Sequence, residues 1–174
     1  MTITNLLQKF NATLRPILPP AELEAINIHL TLHLAEKYSP NPGAPLPAAA
    51  ETELLKLAAD LKHGMPFQYA MGYCWFYKYK FEVTTSVLIP RPETEELVDL
   101  AIKKLEAHDG FAKGLSVLDV GTGTGCIAIS LALALKNSKV TAIEVSPEAI
   151  DIAKKNAENL GAEVDFRQVD FLND

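Results

Sequence analysis

The sequence predicts an α+β protein in which a helical N-terminal part is followed by a β-hairpin and then by a β-α-β-α-β arrangement. Three observations predict this order. Residues 1–72 repeat apolar side chains at helical spacing, an aromatic and partly alternating segment follows, and strand and helix patterns alternate from Leu115 onward. Because such alternation forms parallel sheets with right-handed crossovers, we expect residues 91–174 to form half of a doubly wound sheet.

The composition is that of an ordinary globular protein with an acidic balance. Of the 174 residues, 48% are hydrophobic and 22% charged, and the formal net charge is −6. An acidic chain argues against direct nucleic-acid binding, which needs a basic surface. No apolar run is long enough to cross a bilayer and no signal peptide is visible, so we expect a cytoplasmic monomer without a membrane partner.

Residues 1–72 are expected to form a small bundle of three or four helices. The apolar spacing predicts helices from Ile3 to Leu14, from Ala21 to about Tyr38 and from about Ala48 to His63. Prolines interrupt the pattern between these helices, and Gly64 follows the third one where a left-handed cap belongs.

Residues 73–90 are expected to form a β-hairpin linker, because Trp75–Val83 is rich in aromatic residues and partly alternating. A helix should then begin at Pro92, with Glu93 in its first turn, and run to about Ala107.

The C-terminal part predicts three strands and two helices. The strands are Leu115–Val120, Lys139–Val145 and Glu163–Val169, and the helices are Cys126–Leu135 and one from Pro147 to Leu160. Three parallel strands are half of a doubly wound sheet, and the first would be left with an uncovered edge. We therefore expect the chain to be a piece of a longer protein.

The strongest functional signal is the segment Asp119–Gly125, with the sequence Asp-Val-Gly-Thr-Gly-Thr-Gly. Glycines let the backbone turn sharply and approach a ligand closely, and the following helix presents free N–H groups. Glu144 ends the next strand, where a carboxylate can hold both hydroxyls of a ribose. This spacing predicts an adenosine-containing cofactor at the carboxyl edge of the sheet, against the simpler interpretation of a turn that only connects strand and helix.

The acidic residues favour S-adenosylmethionine over a dinucleotide. The Gly-x-Gly-x-x-Ala pattern at residues 123–128 matches the dinucleotide fingerprint, but that match alone is weak. Asp119 would repel a pyrophosphate, whereas it could attract the ammonium group of S-adenosylmethionine. Asp170 follows the third strand and could accept a hydrogen bond from the adenine amino group, and Phe171 could pack on the adenine ring. A nicotinamide-dependent oxidoreductase is the weakest alternative.

Asp119–Gly125 together with Glu144 resembles the first two cofactor motifs of Rossmann-like S-adenosylmethionine-dependent methyltransferases. Two upstream segments narrow the resemblance: Pro66–Gly72, and Leu88–Val98 with its Ile-Pro-Arg-Pro-Glu-Thr-Glu run. Both are similar to the HemK/PrmC-type protein-(glutamine-N5) methyltransferases. The resemblance covers the whole chain, although the helical part matches by arrangement and not by motif.

The resemblance implies a reaction and a set of cofactor contacts. The family transfers a methyl group from S-adenosylmethionine, leaving S-adenosylhomocysteine, to the glutamine side-chain nitrogen in the Gly-Gly-Gln loop of peptide chain release factors. Carried over by position, the glycines would surround the methionine end, Glu144 would hold the ribose, and the residues after the third strand would line the adenine pocket. The cofactor-binding candidates are Asp119, Gly121, Thr122, Gly123, Thr124, Gly125, Glu144, Asp170 and Phe171.

Arg91 and Glu93 are candidates for the substrate pocket, with a helix start that carries dipole-matched acids as the alternative interpretation. The helical part is expected to bind the release factor. No metal site is expected, because His29 and His33 have metal-ligand spacing but no obvious third ligand.

No catalytic residue is expected within residues 1–174. The family's Asn-Pro-Pro-Tyr motif, which follows the fourth strand, does not occur in this sequence. In that motif the Asn side chain and a proline carbonyl accept the two amide hydrogens of the substrate and orient its nitrogen. We therefore expect residues 1–174 to bind the cofactor weakly and to be inactive in transfer. Two alternatives stay open: methylation of another planar nitrogen, in a ribosomal protein or a nucleic-acid base, and a non-catalytic binding module.

Overall fold

The computed structural model describes residues 1–41, 43–107 and 114–173 of the chain. It confirms the predicted α+β class, with helices first, then a hairpin, then a parallel sheet. The chain divides into two units, Met1–Met71 and Gly72–Asp174. Within the described residues, no helix has both the length and the apolar character that a membrane span requires.

The first unit contains four helices. The three helices with predicted bounds are confirmed to within one residue at each end, and a fourth, short helix, whose position was not predicted, follows them. The helices are α1 (Ile3–Leu14), α2 (Pro20–Lys37), α3 (Ala48–Lys62) and α4 (Phe67–Met71). Their apolar stripes meet in one core, in which Leu14, Leu30 and Leu34 are fully buried. Gly64 has a φ of 82° just after α3, as its predicted capping role requires.

The second unit begins with the hairpin formed by β1 (Tyr73–Phe76) and β2 (Tyr79–Glu82), which pair antiparallel. Phe76 and Phe81 are buried on its inner face, with ring centroids 6.0 Å apart in an edge-to-face arrangement. The hairpin lies in the same unit as the parallel sheet, and β2 packs against a helix of that sheet. Helix α5 (Pro92–Glu106) follows, as predicted.

The parallel sheet has three strands in the order β3 (Ser116–Val120), β4 (Lys139–Glu144) and β5 (Asp165–Gln168). Helices α6 (Cys126–Ala134) and α7 (Pro147–Leu160) connect them. Each strand is one to three residues shorter than predicted, because the ladder pairing covers fewer residues than the apolar pattern does. The register sets the carboxyl ends of all three strands side by side, which builds one common edge.

Side chains of β3 alternate between the two faces of the sheet. Val117 packs with Ala128 of α6 and Ala142 of β4, so the side that carries Val117 and Asp119 faces the helices. Leu118 and Val120 lie on the opposite face and are about half exposed, at 55% and 47%. Asp119 is thereby directed under the turn that joins β3 to α6.

Candidate functional site

The glycine turn, residues 121–125, is held from two directions by its neighbours. The N–H groups of Gly121 and Thr122 both donate to the carbonyl of Ile143 in β4, at 2.9 and 3.1 Å. At Gly125 the φ is 80°, and a Cβ would lie 2.8 Å from Ile129 Cδ1 and 3.2 Å from Ala153 Cβ. Only glycine combines this backbone conformation with so close a contact. The turn therefore has a fixed path between β4 and the helices α6 and α7.

Asp119 supports the turn from below. Its Oδ2 accepts a hydrogen bond from the Thr122 hydroxyl at 2.7 Å, and its carboxylate also accepts one from the Ala128 backbone N–H in the first turn of α6. Burial raises the pKa of Asp119, although these two hydrogen bonds act to lower it, and the nearby Glu144 carboxylate raises it further. Asp119 thus joins both ends of the turn.

Glu144 lies directly against the glycine turn. Its Oε2 accepts the Gly123 N–H at 3.0 Å, and its Oε1 accepts the N–H groups of Val145 and Ser146 at 2.9 and 3.2 Å. Because each carboxylate oxygen has two lone pairs, Oε2 keeps capacity for a further donor such as a hydroxyl. A residue that is distant in sequence is therefore brought to the point where the cofactor motif predicts it.

Asp170 and Phe171 follow β5 at the same edge of the sheet. The Val169 N–H donates to the Glu144 carbonyl at 3.1 Å, which continues the edge beyond the last strand residue. Asp170 accepts hydrogen bonds from the Asn173 side-chain amide at 2.6 Å and from the Leu172 N–H at 3.2 Å. The first of these is the main reason that the pKa of Asp170 is lowered. The Phe171 ring is 60% exposed, and so it is accessible at this edge.

Arg91 and Glu93 lie at the start of α5, where both are exposed. The Arg91 carbonyl accepts the Thr94 N–H at 3.0 Å, so the backbone of Arg91 caps the helix. Helix α5 packs against α6, the helix that follows the glycine turn. In the part of the chain that the structure describes, no hydrogen bond or ion pair joins either side chain to the turn.

Asn156 is a site residue that the sequence reasoning missed. It lies on α7 and is 1% exposed. Its Nδ2 donates to the carbonyls of Glu82 and Thr124, both at 3.0 Å, and its Oδ1 accepts the Glu82 N–H at 2.7 Å. The sequence does contain a signal for it, because Asn156 interrupts the apolar stripe of α7 beside Ala153 and Ala157, and a buried amide needs hydrogen-bond partners.

His29 and His33, which have metal-ligand spacing, contact different neighbours. His33 Nε2 lies 2.8 Å from Glu53 Oε1, and the His29 ring packs 6.0 Å from the ring of Phe67. Among residues 1–41, 43–107 and 114–173 there is no cluster of three or more His, Cys, Asp or Glu side chains that could hold a metal ion.

Comparison with known proteins points to methyltransferases. Residues 111–173 match a family model described as a methyltransferase domain. A release factor glutamine methyltransferase from Bacteroides thetaiotaomicron is 41% identical over 165 residues, which are 92% of this chain and 57% of that protein. A release factor glutamine methyltransferase from Bacillus anthracis is 44% identical over 126 residues, or 72% of this chain and 44% of that protein. The chain thus spans about half the length of the curated relatives that it matches.

Solved structures with some likeness to this chain include a S-adenosylmethionine-dependent methyltransferase from Agrobacterium tumefaciens. That structure is 23% identical with a TM-score of 0.45, and the match covers 55% of this chain and 31% of that one. A tRNA (uracil-54, C5)-methyltransferase from Pyrococcus abyssi, in complex with S-adenosylhomocysteine, is 19% identical with a TM-score of 0.43. That match covers 55% of this chain and 23% of the tRNA methyltransferase.

Proposed function

Because this chain is homologous over 92% of its length to a release factor glutamine methyltransferase, we propose that it carries the cofactor site of such an enzyme. The proposed cofactor is S-adenosylmethionine. The proposed reaction of the whole protein is transfer of its methyl group to the side-chain nitrogen of a glutamine in a peptide chain release factor. The observation that carries the proposal is the contact between Glu144 and the Gly123 N–H, which joins the two cofactor motifs.

The donor set of this edge fits a cofactor that is cationic and has no phosphate. Asp119, Glu144 and Asp170 lie at or beside the carboxyl ends of the three strands, and residues 119–126 include no Lys or Arg. A pyrophosphate in such surroundings would meet carboxylates without a compensating cation. The ammonium and sulfonium groups of S-adenosylmethionine would instead meet charges of opposite sign.

When bound, S-adenosylmethionine supplies an electrophilic methyl group on its sulfonium sulfur. The glycine turn would hold the methionine end against the first turn of α6, where no Cβ intrudes. Glu144 would accept hydrogen bonds from the ribose hydroxyls while its Oε1 stays bonded to Val145 and Ser146. Asp170 and Phe171 would border the adenine. These residues bind and orient, so their contribution to transfer would be the positioning of the methyl group.

Two further assignments belong to the same proposal. We assign Arg91 and Glu93 to the approach of the substrate, because they begin the helix that packs against α6. We assign binding of the release factor to the helical unit Met1–Met71, which is separate from the sheet that carries the cofactor residues. Removal of residues 1–64 should then weaken the affinity for the release factor.

Calorimetric titration with S-adenosylhomocysteine tests the cofactor assignment on this chain. The wild-type chain should bind it and should not bind NAD. Glu144→Gln should weaken the affinity by roughly 10- to 100-fold, the equivalent of charged hydrogen bonds worth about 1.5–3 kcal/mol. The matched control is Glu163→Gln, which makes the same exchange at an exposed position after α7 and should change the affinity by less than about twofold.

Methyl transfer itself is measured with the complete product of the gene that encodes this chain. A release factor with its Gly-Gly-Gln glutamine intact should accept a labelled methyl group, and one with that glutamine replaced by alanine should not. Binding of NAD in place of S-adenosylhomocysteine, or equal labelling of both release factors, would contradict the proposal.

A further inference from the structure

The buried side chain of Asn156 joins two segments that are far apart in sequence. Its amide pairs with both the N–H and the carbonyl of Glu82, as a neighbouring strand would, and its second amide hydrogen reaches the Thr124 carbonyl. The three distances lie between 2.7 and 3.0 Å, so all are well-formed hydrogen bonds. Three of the four hydrogen-bonding positions of the carboxamide are therefore used on backbone groups.

Helix α7 holds two successive residues of the glycine turn. Thr124 is held by the hydrogen bond from Asn156, and Gly125 is held by contact, since Ala153 Cβ lies 3.2 Å from the position that a Cβ would take. Ala153 and Asn156 are three residues apart and therefore lie on the same face of the helix. That face sets where the turn lies, including the Gly123 N–H that donates to Glu144.

The other end of the Asn156 contact determines where the hairpin ends. Glu82 is the last residue of β2, and the next residue, Val83, is buried with its N–H donating to the Gly72 carbonyl at 3.0 Å. From Val83 the chain continues through a turn and residues 84–90 to Arg91 and the start of α5. A shift of Glu82 would therefore displace the start of the segment that carries the substrate-pocket candidates.

We propose that Asn156 is a positioning residue for the methyl-transfer site, which keeps the glycine turn in register with the end of the hairpin. This inference rests on the proposed function, because it takes the turn to be the cofactor site. Only a carboxamide of this length can make all three hydrogen bonds. Asp keeps the acceptor for Glu82 but places a carboxylate against two carbonyls, and Leu removes all three hydrogen bonds, of which the one to Thr124 is buried.

The test compares Asn156→Asp with Ile152→Val in the full chain. Ile152 is buried on the same helix at 6% exposure, so its truncation lowers stability through packing and leaves the three hydrogen bonds intact. Trp75 is the single tryptophan and lies in the second unit, so its fluorescence reports whether each variant is folded. Affinity for S-adenosylhomocysteine is then measured at a temperature where both variants are folded.

Asn156→Asp should lose affinity by roughly 5- to 50-fold, because unpaired buried groups displace the turn. Ile152→Val should stay within about twofold of the wild type. The amide resonances of Gly123 and Gly125 should shift in the first variant and remain in place in the second. Asn156→Ser, which keeps one hydroxyl donor, is the milder variant and should lose affinity in the same direction.

Wild-type affinity in a folded Asn156→Asp variant, with unmoved glycine resonances, would show that Asn156 only stabilises the fold. The inference is equally overturned if both Asn156 variants fail to fold while Ile152→Val folds, since the residue is then a folding requirement. If the wild-type chain does not bind S-adenosylhomocysteine, the proposed function fails. The glycine resonances then still decide whether Asn156 positions the turn.

Discussion

Each unit of this chain contains a side chain with three hydrogen-bond partners, and these two side chains are buried to different degrees. In the first unit, the Glu53 carboxylate accepts hydrogen bonds from His33, Lys37 and Tyr38 at 2.8, 2.9 and 2.6 Å, with its side chain still 27% exposed. In the second unit, Asn156 makes its three hydrogen bonds to backbone groups at 1% exposure. The first network links partly buried side chains to one another, and the second links two backbone segments through a fully buried side chain.

This difference indicates how well each unit tolerates a substitution that removes a hydrogen-bond partner. Water can reach the partly exposed Glu53 carboxylate after a partner is lost, so the loss of one partner there is expected to cost less than the loss of a partner of Asn156. In the second unit, Ala153 Cβ of α7 lies 3.2 Å from the position that a Cβ at Gly125 would take, and the hydrogen bond from Asn156 to Thr124 is buried, so water cannot replace a lost partner there. The unit that carries the candidate cofactor site should therefore be the more sensitive of the two.

The largest expected effect tests the close contact at Gly125. Gly125→Ala should lower the free energy of unfolding by about 3 kcal/mol, because it combines a left-handed backbone with a collision against Ile129 and Ala153. Gly64→Ala is the matched control in the first unit, since its φ of 82° is nearly the same and no described atom lies within 4 Å of its Cβ position. It should lower the free energy by about 1 kcal/mol.

Urea unfolding measures both variants, with Trp75 fluorescence for the second unit and far-ultraviolet circular dichroism for the helices of both units. A transition seen by circular dichroism without a change in Trp75 fluorescence is assigned to the first unit. If Gly125→Ala and Gly64→Ala lowered the free energy of unfolding equally, the left-handed backbone alone would account for the cost, and the contact with Ile129 and Ala153 would add nothing. In that case the proposed contrast between the units is wrong.

An intermediate effect is expected at Glu53, the carboxylate that His33, Lys37 and Tyr38 contact in the first unit. Burial acts to raise the pKa of Glu53, but hydrogen bonds from Tyr38, Lys37 and His33 outweigh it and lower the pKa from 4.5 to about 2. A lowered pKa stabilises the folded state above pH 4.5, and this stabilisation is lost as the pH falls through 2. Glu53→Gln should therefore cost about 1–2 kcal/mol at pH 7 and should remove this part of the acid sensitivity of the first unit.

The smallest effect is expected at Glu51, on the same helix as Glu53. Its carboxylate pairs with Lys9 at 3.1 Å, with side chains 40% and 64% exposed. Glu51→Gln should change the free energy of unfolding by less than about 0.5 kcal/mol, because an exposed ion pair contributes little. If Glu51→Gln lowered the free energy of unfolding more than Glu53→Gln, the number of hydrogen bonds to each carboxylate would not explain how much each one stabilises the fold.

Local patterns explain why most elements could be predicted. Helical spacing, the prolines at Pro92 and Pro147 and the glycine after α7 depend only on residues near in sequence, and the structure has the corresponding helix ends. The parallel order of the strands followed from the alternation of strands and helices. The bounds of the short fourth helix α4 could not be predicted, because five residues are too few to show a period.

The candidate site was predictable only in its residue types and in the edge of the sheet at which they lie. The glycines and Glu144 follow consecutive strands of a parallel sheet, so topology alone brings them to one edge. That Glu144 bonds to the Gly123 N–H, and that Asp119 bonds to Thr122 and α6 beneath the turn, required the fold.

Local sequence patterns were enough to predict the α+β class, the bounds of the longer helices and the residue types at the carboxyl edge of the sheet. That the hairpin lies in the same unit as the sheet, and that Asn156 connects Glu82 to Thr124, depends on packing between segments distant in sequence. Periodicity and capping act over a few residues, whereas the partners of a buried carboxamide are set by which backbone groups packing leaves unpaired nearby.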